Sequence, residues 1–232
     1  MKIRILVLVL LFLNLTMLAD NQNDFFNDAN AFLNKNVSST TVDYASIKAN
    51  RAALDDLVSQ IGLFKFSSDE KTNKAFLANA YNILVIKGIV DKYPVKSPLD
   101  ISGFFDKIKY NLAGKSYTLN DIENKLIRSK YNDARFHFVL VCGANGCPPI
   151  MSNAYFPSKI ESQLEEQTKK ALNNASFLKV KDGKIYLSQI FEWYKADFGK
   201  NVLTFINKYR SDKLDETSNY KYYSYDWSLN KK

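Results

Sequence analysis

Residues 76–84 have the sequence Phe-Leu-Ala-Asn-Ala-Tyr-Asn-Ile-Leu, and they lie in the middle of a longer apolar segment, residues 71–93. When this segment is drawn as a helix, apolar side chains occupy most of its circumference, so no face of it favours water. Pro94 and Pro98 follow the segment and end the helical pattern. The sequence therefore predicts a buried helix over residues 71–93 at the centre of the fold.

Shorter helices and strands flank this segment. Residues 44–61 keep a helical spacing of apolar positions. Strands are predicted at residues 104–110, 115–119, 135–142, 178–180 and 185–187, and helices at residues 158–174, 188–198 and 202–209. Helices thus precede a strand-rich middle and return after it, which indicates the α+β class. We expect a single domain in which the buried central helix packs on a small, mostly antiparallel sheet with flanking helices.

The first residues have the pattern of a signal peptide. Lys2 and Arg4 precede an unbroken apolar run over residues 5–13, and Ala19 is a small residue at a plausible cleavage point. The run is shorter than the ~20 residues that a spanning helix needs, and an uncleaved anchor is the alternative. We expect export to a bacterial periplasm, with residues 1–19 as signal peptide, residues 20–42 as a loosely ordered lead-in and residues 43–230 as one globular domain.

The charge of the chain is positive and scattered. Its 232 residues include 32 Lys and Arg against 24 Asp and Glu, which gives a formal net charge of +8 at pH 7. Because the positive charges form no long run and an exported chain rarely meets nucleic acid, we expect no nucleic-acid partner. The expected partners are an unknown small molecule or peptide, together with a weak association with anionic envelope surfaces.

The sharpest chemical feature is a loop with two cysteines, Cys142-Gly-Ala-Asn-Gly-Cys147-Pro-Pro, which we call the thiol loop. The chain has one histidine, His137, shortly before this loop. On a strand over residues 135–142, His137 and Cys142 would point to opposite faces, roughly 16 Å apart at ~3.3 Å per residue. We therefore expect Cys147, rather than Cys142, to be the nucleophile of any thiol chemistry, with His137 as its base.

The same loop supports other interpretations. In an oxidising compartment Cys142 and Cys147 can form a disulfide, and closing so small a loop stabilises a fold by roughly 2 kcal/mol. A redox-active pair is a third interpretation, although the spacing is not the Cys-x-x-Cys of such sites. In a thiol enzyme, Gly143 and Gly146 would present backbone N–H groups to an oxyanion. The sequence leaves these alternatives open.

Several polar residues on predicted helices are candidates to support a site. Asn79, Tyr81 and Asn82 lie on the apolar central helix. The two asparagines share one face, so they either orient a catalytic group or tie down a neighbouring loop. Glu123 either supports the site or caps a short helix. Arg128 is expected to pair with an acid or to bind an anionic substrate.

No metal or other cofactor is expected. One histidine and two cysteines fall short of the roughly four ligands that a structural zinc site needs. The sequence contains no His-Glu-x-x-His motif and no glycine motif that would bind phosphate.

The chain also resembles a known family. The motifs that carry the resemblance are Ala75-Phe-Leu-Ala-Asn-Ala-Tyr-Asn-Ile-Leu, Tyr93-Pro-Val-Lys-Ser, Phe105-Asp-Lys, Leu119-Asn-Asp-Ile-Glu, Arg135-Phe-His-Phe-Val-Leu-Val-Cys, Cys147-Pro-Pro, Ile190-Phe-Glu-Trp-Tyr-Lys-Ala-Asp-Phe and Tyr225-Asp-Trp-Ser-Leu-Asn. In these motifs, spread over residues 43–230, the chain is similar to the domain of unknown function 547 family. The resemblance implies shared polar positions at Asn79, Tyr81, Asn82, Glu123, Arg128, His137, Cys142 and Cys147.

One departure from the family pattern affects the expected mechanism. The pattern often has a histidine where this chain has Asn124. The resemblance then implies either that thiol activity is lost here or that it depends on His137 alone. A papain-like or transglutaminase-like mechanism is an analogy only.

Two functions follow as expectations, and whether the protein is an enzyme stays open. The first is a thiol-dependent hydrolase or transferase of the cell envelope. It would use Cys147 or Cys142 with His137, oriented by Asn79, Glu123 and Arg128. The second is a non-catalytic binding or scaffold protein of the envelope, in which Cys142 and Cys147 form a structural disulfide.

Overall fold

The computed structural model describes residues 24–232, so the expected signal peptide lies outside the described residues. The first half contains α1 (residues 24–36), β1 (Val37–Ser38), β2 (Thr41–Val42), α2 (Tyr44–Ala49), α3 (Ala52–Leu63), α4 (Glu70–Lys92), β3 (Lys109–Leu112), β4 (Lys115–Thr118), α5 (Leu119–Asp121), a π-helix (Ile122–Arg128) and α6 (Ser129–Tyr131). The second half contains α7 (Ile160–Leu172), β5 (Lys179–Lys181), β6 (Lys184–Ser188), α8 (Ile190–Trp193), α9 (Val202–Tyr209) and β7 (Tyr220–Tyr223). Short 3-10 helices occur at Pro98–Asp100, Ala134–Phe138 and Lys195–Phe198. None of the helices in this described part has the length and apolarity needed to span a bilayer.

The predicted central helix is confirmed as α4. Its N-terminus is capped by Asp69, whose carboxylate accepts hydrogen bonds from the backbone N–H groups of Lys71 and Thr72 at 3.2 and 3.0 Å. Every residue from Ala75 to Ile86 is buried. The helix is therefore surrounded by protein along its middle turns, as its apolar circumference predicts.

The α+β class is confirmed, with most of the packing around α4 made by helices. The helices α2, α3 and α7 and the π-helix pack against it. The strands form three small sheets, with β1 paired to β2, β3 to β4, and β5 to β6 to β7. All of these pairs are antiparallel except β6 with β7, which is parallel.

The expected loose lead-in is a packed part of the fold from residue 24 onwards. Residues 24–36 form α1, and its Phe25, Phe26 and Phe32 are buried in the same hydrophobic core as α4. Phe25 packs edge-on against Phe76, with ring centroids 5.3 Å apart. The polar residues that suggested a loose segment lie mainly on the solvent side of this helix, and its apolar positions also suggest a short helix at Phe25–Leu33, which lies within α1.

Residues 135–142 are not the strand that their alternation predicts. Asp133 caps a 3-10 helix, Ala134–Phe138, and an irregular segment follows it. Asn82 of α4 donates to the carbonyl of Val139 and accepts from the N–H of Val141, both at 2.9 Å. A side chain thus supplies the hydrogen bonds that a neighbouring strand would have supplied.

The caps of α5 and α7 bear on two predicted features, the capping role of Glu123 and the helix over residues 158–174. Thr118, rather than Asn120, caps α5, with reciprocal hydrogen bonds between Thr118 and Asp121 of 3.0 and 3.1 Å. Glu123 therefore has no capping role. The helix predicted from Ser158 begins as α7 without a side-chain cap. Its Glu161 instead forms ion pairs with Lys74 and Arg135 at 3.0 and 2.6 Å.

The C-terminal elements match their predictions closely. Asp182 and Gly183 have positive φ values of 51° and 69° and connect β5 to β6 as a tight hairpin. The aromatic tail, residues 222–229, docks on the body. Its strand β7 pairs with β6, and the N–H groups of Asn145 and Gly146 donate to carbonyls of Ser228 and Asp226, both at 2.8 Å. The tail therefore holds the thiol loop from outside.

Candidate functional site

One cleft of about 290 Å³ brings together four of the eight predicted site residues, Tyr81, Glu123, His137 and Cys142. It lies between α4, the π-helix, the thiol loop, α8 and the C-terminal tail. We call it the aromatic cleft, because six of its side chains are phenylalanine, tyrosine or tryptophan. The residues that line it are Tyr81, Phe105, Asn120, Glu123, His137, Leu140, Cys142, Ile190, Trp193, Tyr194, Tyr225 and Trp227.

A buried carboxylate lines the aromatic cleft. Glu123 lies in the first turn of the π-helix, and only 8% of it is exposed. The hydroxyl of Tyr81 lies 3.4 Å from Oε2 of Glu123, and the hydroxyl of Tyr194 also faces this carboxylate. Burial, and secondly the charge of Glu123, raises the pKa of Tyr81 and of Tyr194 above the ordinary tyrosine value. Both hydroxyls therefore stay protonated and can donate.

The imidazole of His137 contacts an acid. Its Nε2 atom lies 2.7 Å from Oδ2 of Asp197, which belongs to the 3-10 helix after α8. Asp197 also accepts two hydrogen bonds from the guanidinium of Arg128, at 2.7 Å from Nε and 3.0 Å from Nη2. Of the two roles predicted for Arg128, the structure contains the pairing with an acid.

The hydrogen bonds of His137 and Arg128 converge on the carboxylate of Asp197. The hydrogen bond from His137, and then those from Arg128, hold the pKa of Asp197 well below its ordinary value. The ring of Tyr194 covers the group, with its centroid 4.6 Å from Cζ of Arg128 and 4.2 Å from the ring centroid of His137. Within residues 24–232, no three His, Cys, Asp or Glu side chains come together as a metal site.

Cys142 and Cys147 form a disulfide across the thiol loop. The hydroxyl of Tyr225 lies 3.0 Å from each of the two sulfur atoms, and the N–H of Cys142 lies 3.1 Å from the sulfur of Cys147. Among the alternatives that the sequence leaves open, the structure therefore contains the disulfide between Cys142 and Cys147. In this form neither sulfur is a thiolate, so neither is a nucleophile.

The two cysteines face different clefts. Cys142 lines the aromatic cleft together with His137. Cys147 is 9% exposed and lines a separate cleft of about 380 Å³. The preference for Cys147 as the partner of His137 depended on a strand over residues 135–142. Because no strand forms there, the geometric reason for that preference is wrong, and Cys142 is the cysteine that shares a cleft with His137.

The glycines of the thiol loop allow close packing. The N–H of Gly146 donates to the carbonyl of Asp226 at 2.8 Å. It is therefore not available to an oxyanion, contrary to the expectation for a thiol enzyme. A Cβ at Gly146 would lie 2.9 Å from the backbone nitrogen of Asp226. Gly143 has a φ of +82°, and a Cβ there would overlap Ile89 of α4. Both glycines thus let the loop approach its neighbours.

Asn79 and Asn82 each tie one irregular segment to α4. Asn82 binds the segment between His137 and Cys142 through Val139 and Val141, as described above. Asn79 donates to the carbonyl of Tyr155 at 2.8 Å and accepts from its N–H at 2.9 Å. Neither asparagine lines the aromatic cleft. Of the two roles that the sequence leaves open, the structure contains the tying of neighbouring loops.

Comparison with known families assigns the middle of the chain. Residues 65–172 match the family described as "Protein of unknown function, DUF547". This match supports the assignment of this part of the chain to the DUF547 family. The match is shorter than the resemblance over residues 43–230 suggests. No curated protein and no solved structure matches the chain.

The DUF547 segment contains every site residue predicted from the sequence, but the aromatic cleft also needs residues outside it. Those are Ile190, Trp193, Tyr194, Tyr225 and Trp227, together with Asp197 beside His137. Sequence reasoning missed Asp197, and the available signal was one of the two acids, Glu192 and Asp197, in the aromatic motif at residues 190–198. Asn124, where the DUF547 pattern often has histidine, accepts a hydrogen bond from Arg128 and so belongs to the group around Asp197.

Proposed function

We propose that this chain is a non-catalytic binding protein of the cell envelope, in which the aromatic cleft binds a small molecule or peptide. The disulfide between Cys142 and Cys147 is then structural, because it fixes the loop that forms one wall of the cleft. The observation that carries the proposal is this disulfide, which leaves the cleft without a thiolate.

The side chains of the aromatic cleft support a binding role. Trp193 is 45% exposed although it is a large apolar residue, and it stacks on Trp227 with ring centroids 5.9 Å apart. Tyr225 packs against both rings at 5.0 and 4.8 Å. Rigid, partly exposed aromatic rings with polar tips are typical of ligand sites, because they provide contact area at a small cost in conformational entropy.

The test of this proposal is a count of thiols in protein purified from its native compartment. The protein is unfolded and treated with an alkylating reagent, with and without prior reduction, and its mass is measured. We expect no alkyl group without reduction and two after it. Two alkyl groups without reduction would refute the structural disulfide.

The tryptophans provide a direct assay for binding. Trp193 and Trp227 are the two tryptophans of the chain, and both line the aromatic cleft. Intrinsic tryptophan fluorescence therefore reports occupation of this cleft without a label. We expect fragments that enter the cleft to change the emission of the wild-type protein and to raise its midpoint of thermal unfolding. Replacing both tryptophans by Leu should weaken the binding of the same fragments, measured by calorimetry.

A thiol-dependent hydrolase or transferase is the second candidate. It is supported by the position of Cys142 and His137 in one cleft, with the hydroxyl of Tyr225 3.0 Å from the Cys142 sulfur. In a reduced protein this hydroxyl would donate to a Cys142 thiolate. On amide and ester substrates with reductant, we expect Cys142→Ala to abolish turnover and Cys147→Ala to retain it. Loss of turnover in Cys147→Ala alone would instead identify Cys147 as the nucleophile, and absence of turnover in the reduced wild type refutes this candidate.

Export to the periplasm is also a proposal. It depends on the basic start and apolar run of residues 1–19. Sequencing the N-terminus of the mature protein tests it, because cleavage after residue 19 gives a mature chain that starts at Asp20. An intact Met1 would favour the uncleaved anchor.

A further inference from the structure

We propose that the aromatic cleft recognises an organic ammonium group, such as a quaternary ammonium or an alkylammonium. This inference rests on the proposed binding function and adds the chemical class of the ligand. The features that support it are the Glu123 carboxylate, the aromatic rings around it and the absence of an ion pair to that carboxylate.

The carboxylate of Glu123 forms no ion pair within residues 24–232, although the charge of Arg128 acts on it at longer range. It is more than nine-tenths buried and lines the cleft, yet its contacts are with tyrosine hydroxyls, of which that of Tyr81 lies 3.4 Å away. Hydrogen bonds between oxygens are usually about 2.5–3.0 Å long, so this contact is weak. A buried carboxylate with weak hydrogen bonds is costly unless a cation or further donors complete its surroundings.

The nearest arginine does not supply that cation. Arg128 lies five residues after Glu123 on the same π-helix, but its guanidinium forms a two-pronged ion pair with Asp197. No lysine or arginine is among the residues that line the cleft. The cleft therefore presents a negative charge that a bound cation would balance, while an anionic ligand would be repelled.

The rings of the cleft suit the same ligand. Tyr81, Tyr194, Tyr225, Trp193 and Trp227 line the cleft beside Glu123. The faces of tyrosine and tryptophan attract cations, and cages of such rings recognise quaternary ammonium groups. The cleft volume of about 290 Å³ fits a small ammonium compound or the end of a lysine-like chain.

The experiment compares two ligands of equal shape with the wild-type protein. The probe is choline, and its match is the neutral alcohol in which a tert-butyl group replaces the trimethylammonium group. Binding is followed by tryptophan fluorescence and by calorimetry, at constant ionic strength. We expect choline to bind about tenfold or more tightly than the alcohol, because only choline interacts electrostatically with the carboxylate and the rings.

The variant Glu123→Gln keeps the shape of the side chain and removes its charge. We expect it to lose most of the preference for choline over the alcohol while its affinity for the alcohol stays unchanged. Glu166→Gln, at an exposed position of α7, is the matched control and should behave as wild type. Thermal unfolding of both variants confirms that they fold, and the comparison in wild type does not depend on any variant.

The outcomes separate the ammonium inference from the binding proposal. Equal affinity for the two ligands, or a preference for choline that persists in Glu123→Gln, overturns the inference and leaves a cleft that binds by shape alone. If choline and butylamine change neither fluorescence nor unfolding temperature at millimolar concentration, the inference is also overturned. The binding proposal then depends on its own test, the thiol count and the wider fragment assay.

Discussion

The Nε2 atom of His137 lies 2.7 Å from the Oδ2 atom of Asp197. This contact joins the segment before the thiol loop to the segment after α8, so two distant parts of the sequence meet at the cleft. The same oxygen accepts a hydrogen bond from Arg128 at 2.7 Å. Asp197 therefore positions both the only histidine of the chain and the arginine of the π-helix.

The variant Asp197→Asn tests the importance of this group for stability. It removes the charge that pairs with Arg128. It also replaces one carboxylate oxygen, a hydrogen-bond acceptor, by an amide NH2 group, which is a donor and would face the N–H groups that now donate to Asp197. We expect the free energy of unfolding at neutral pH to fall by about 2 kcal/mol, the usual contribution of hydrogen bonds to charged groups. Urea unfolding followed by circular dichroism measures it. The matched control is Asp212→Asn, an exposed aspartate, which should change stability little.

The same variant has an expected pH dependence. His137 and Arg128 hold the pKa of Asp197 below its ordinary value of 3.8. A carboxyl group whose pKa is lower in the folded than in the unfolded chain stabilises the fold fully above the unfolded value. That stabilisation is lost as the pH falls towards the folded value. Between about pH 5 and pH 2 the stability of Asp197→Asn should therefore decline less steeply than that of wild type. Equal slopes would contradict the assignment.

Asn82 gives a second prediction, because it supplies the hydrogen bonds that hold the segment between His137 and Cys142. In Asn82→Ala the carbonyl of Val139 and the N–H of Val141 lose their partners inside the core. We expect a loss of about 3 kcal/mol in the free energy of unfolding, since two buried backbone groups become unsatisfied. Asn219→Ala, at an exposed position, is the control. A loss in Asn82→Ala no larger than in this control would show that the segment is held by other contacts.

The elements that sequence predicts well are those with strong local signals. The helix α4 has an apolar circumference and a capping aspartate, and the hairpin of β5 and β6 has Asp182 and Gly183 at its turn. Local chemistry suffices for both. The segment 135–142 fails because period-two alternation also arises where an irregular chain crosses a core. Its true hydrogen-bond partner, Asn82, is 57 residues from Val139 in sequence.

The candidate site was predictable in part for a similar reason. The cysteines and the single histidine stand out by residue type, and their neighbourhood follows from short spacing. Asp197 and Tyr225 come from distant segments that fold onto the site, 60 residues after His137 and 78 residues after Cys147. Nothing local in those segments distinguishes a residue that contacts sulfur or imidazole from one that fills the core.

Removing the disulfide gives a third prediction. Cys142→Ser combined with Cys147→Ser leaves the polarity of the loop similar and opens the covalent link. We expect a loss of about 2 kcal/mol in the free energy of unfolding, which is the entropy of closing so small a loop. Reductant should lower the stability of the wild type by a similar amount and leave the double variant unchanged. If reductant affects both proteins equally, it acts through something other than this link.

The final prediction concerns the three-stranded sheet of β5, β6 and β7, which presents a basic face to solvent. Lys181 pairs with Lys184, and Tyr186 lies between Lys179 and Lys221 on neighbouring strands. Since side chains alternate along a strand, these residues share one face, and the buried Ile185 and Leu187 occupy the other. The four lysines are exposed, and none of them forms an ion pair within residues 24–232. A flat array of such charges is suited to an anionic surface.

We expect this face to bind vesicles of anionic phospholipid weakly, and not vesicles of zwitterionic phospholipid alone. Each lysine near such a surface contributes about 1 kcal/mol, and salt screens the attraction. Cosedimentation should therefore fall with ionic strength, and fall further in a variant with glutamine at all four positions. The control carries the same loss of charge at exposed lysines elsewhere, Lys71, Lys92, Lys107 and Lys115. If the two variants lose binding equally, the net charge of the protein, and not this face, governs the association. Binding that does not change with salt concentration would exclude an electrostatic cause.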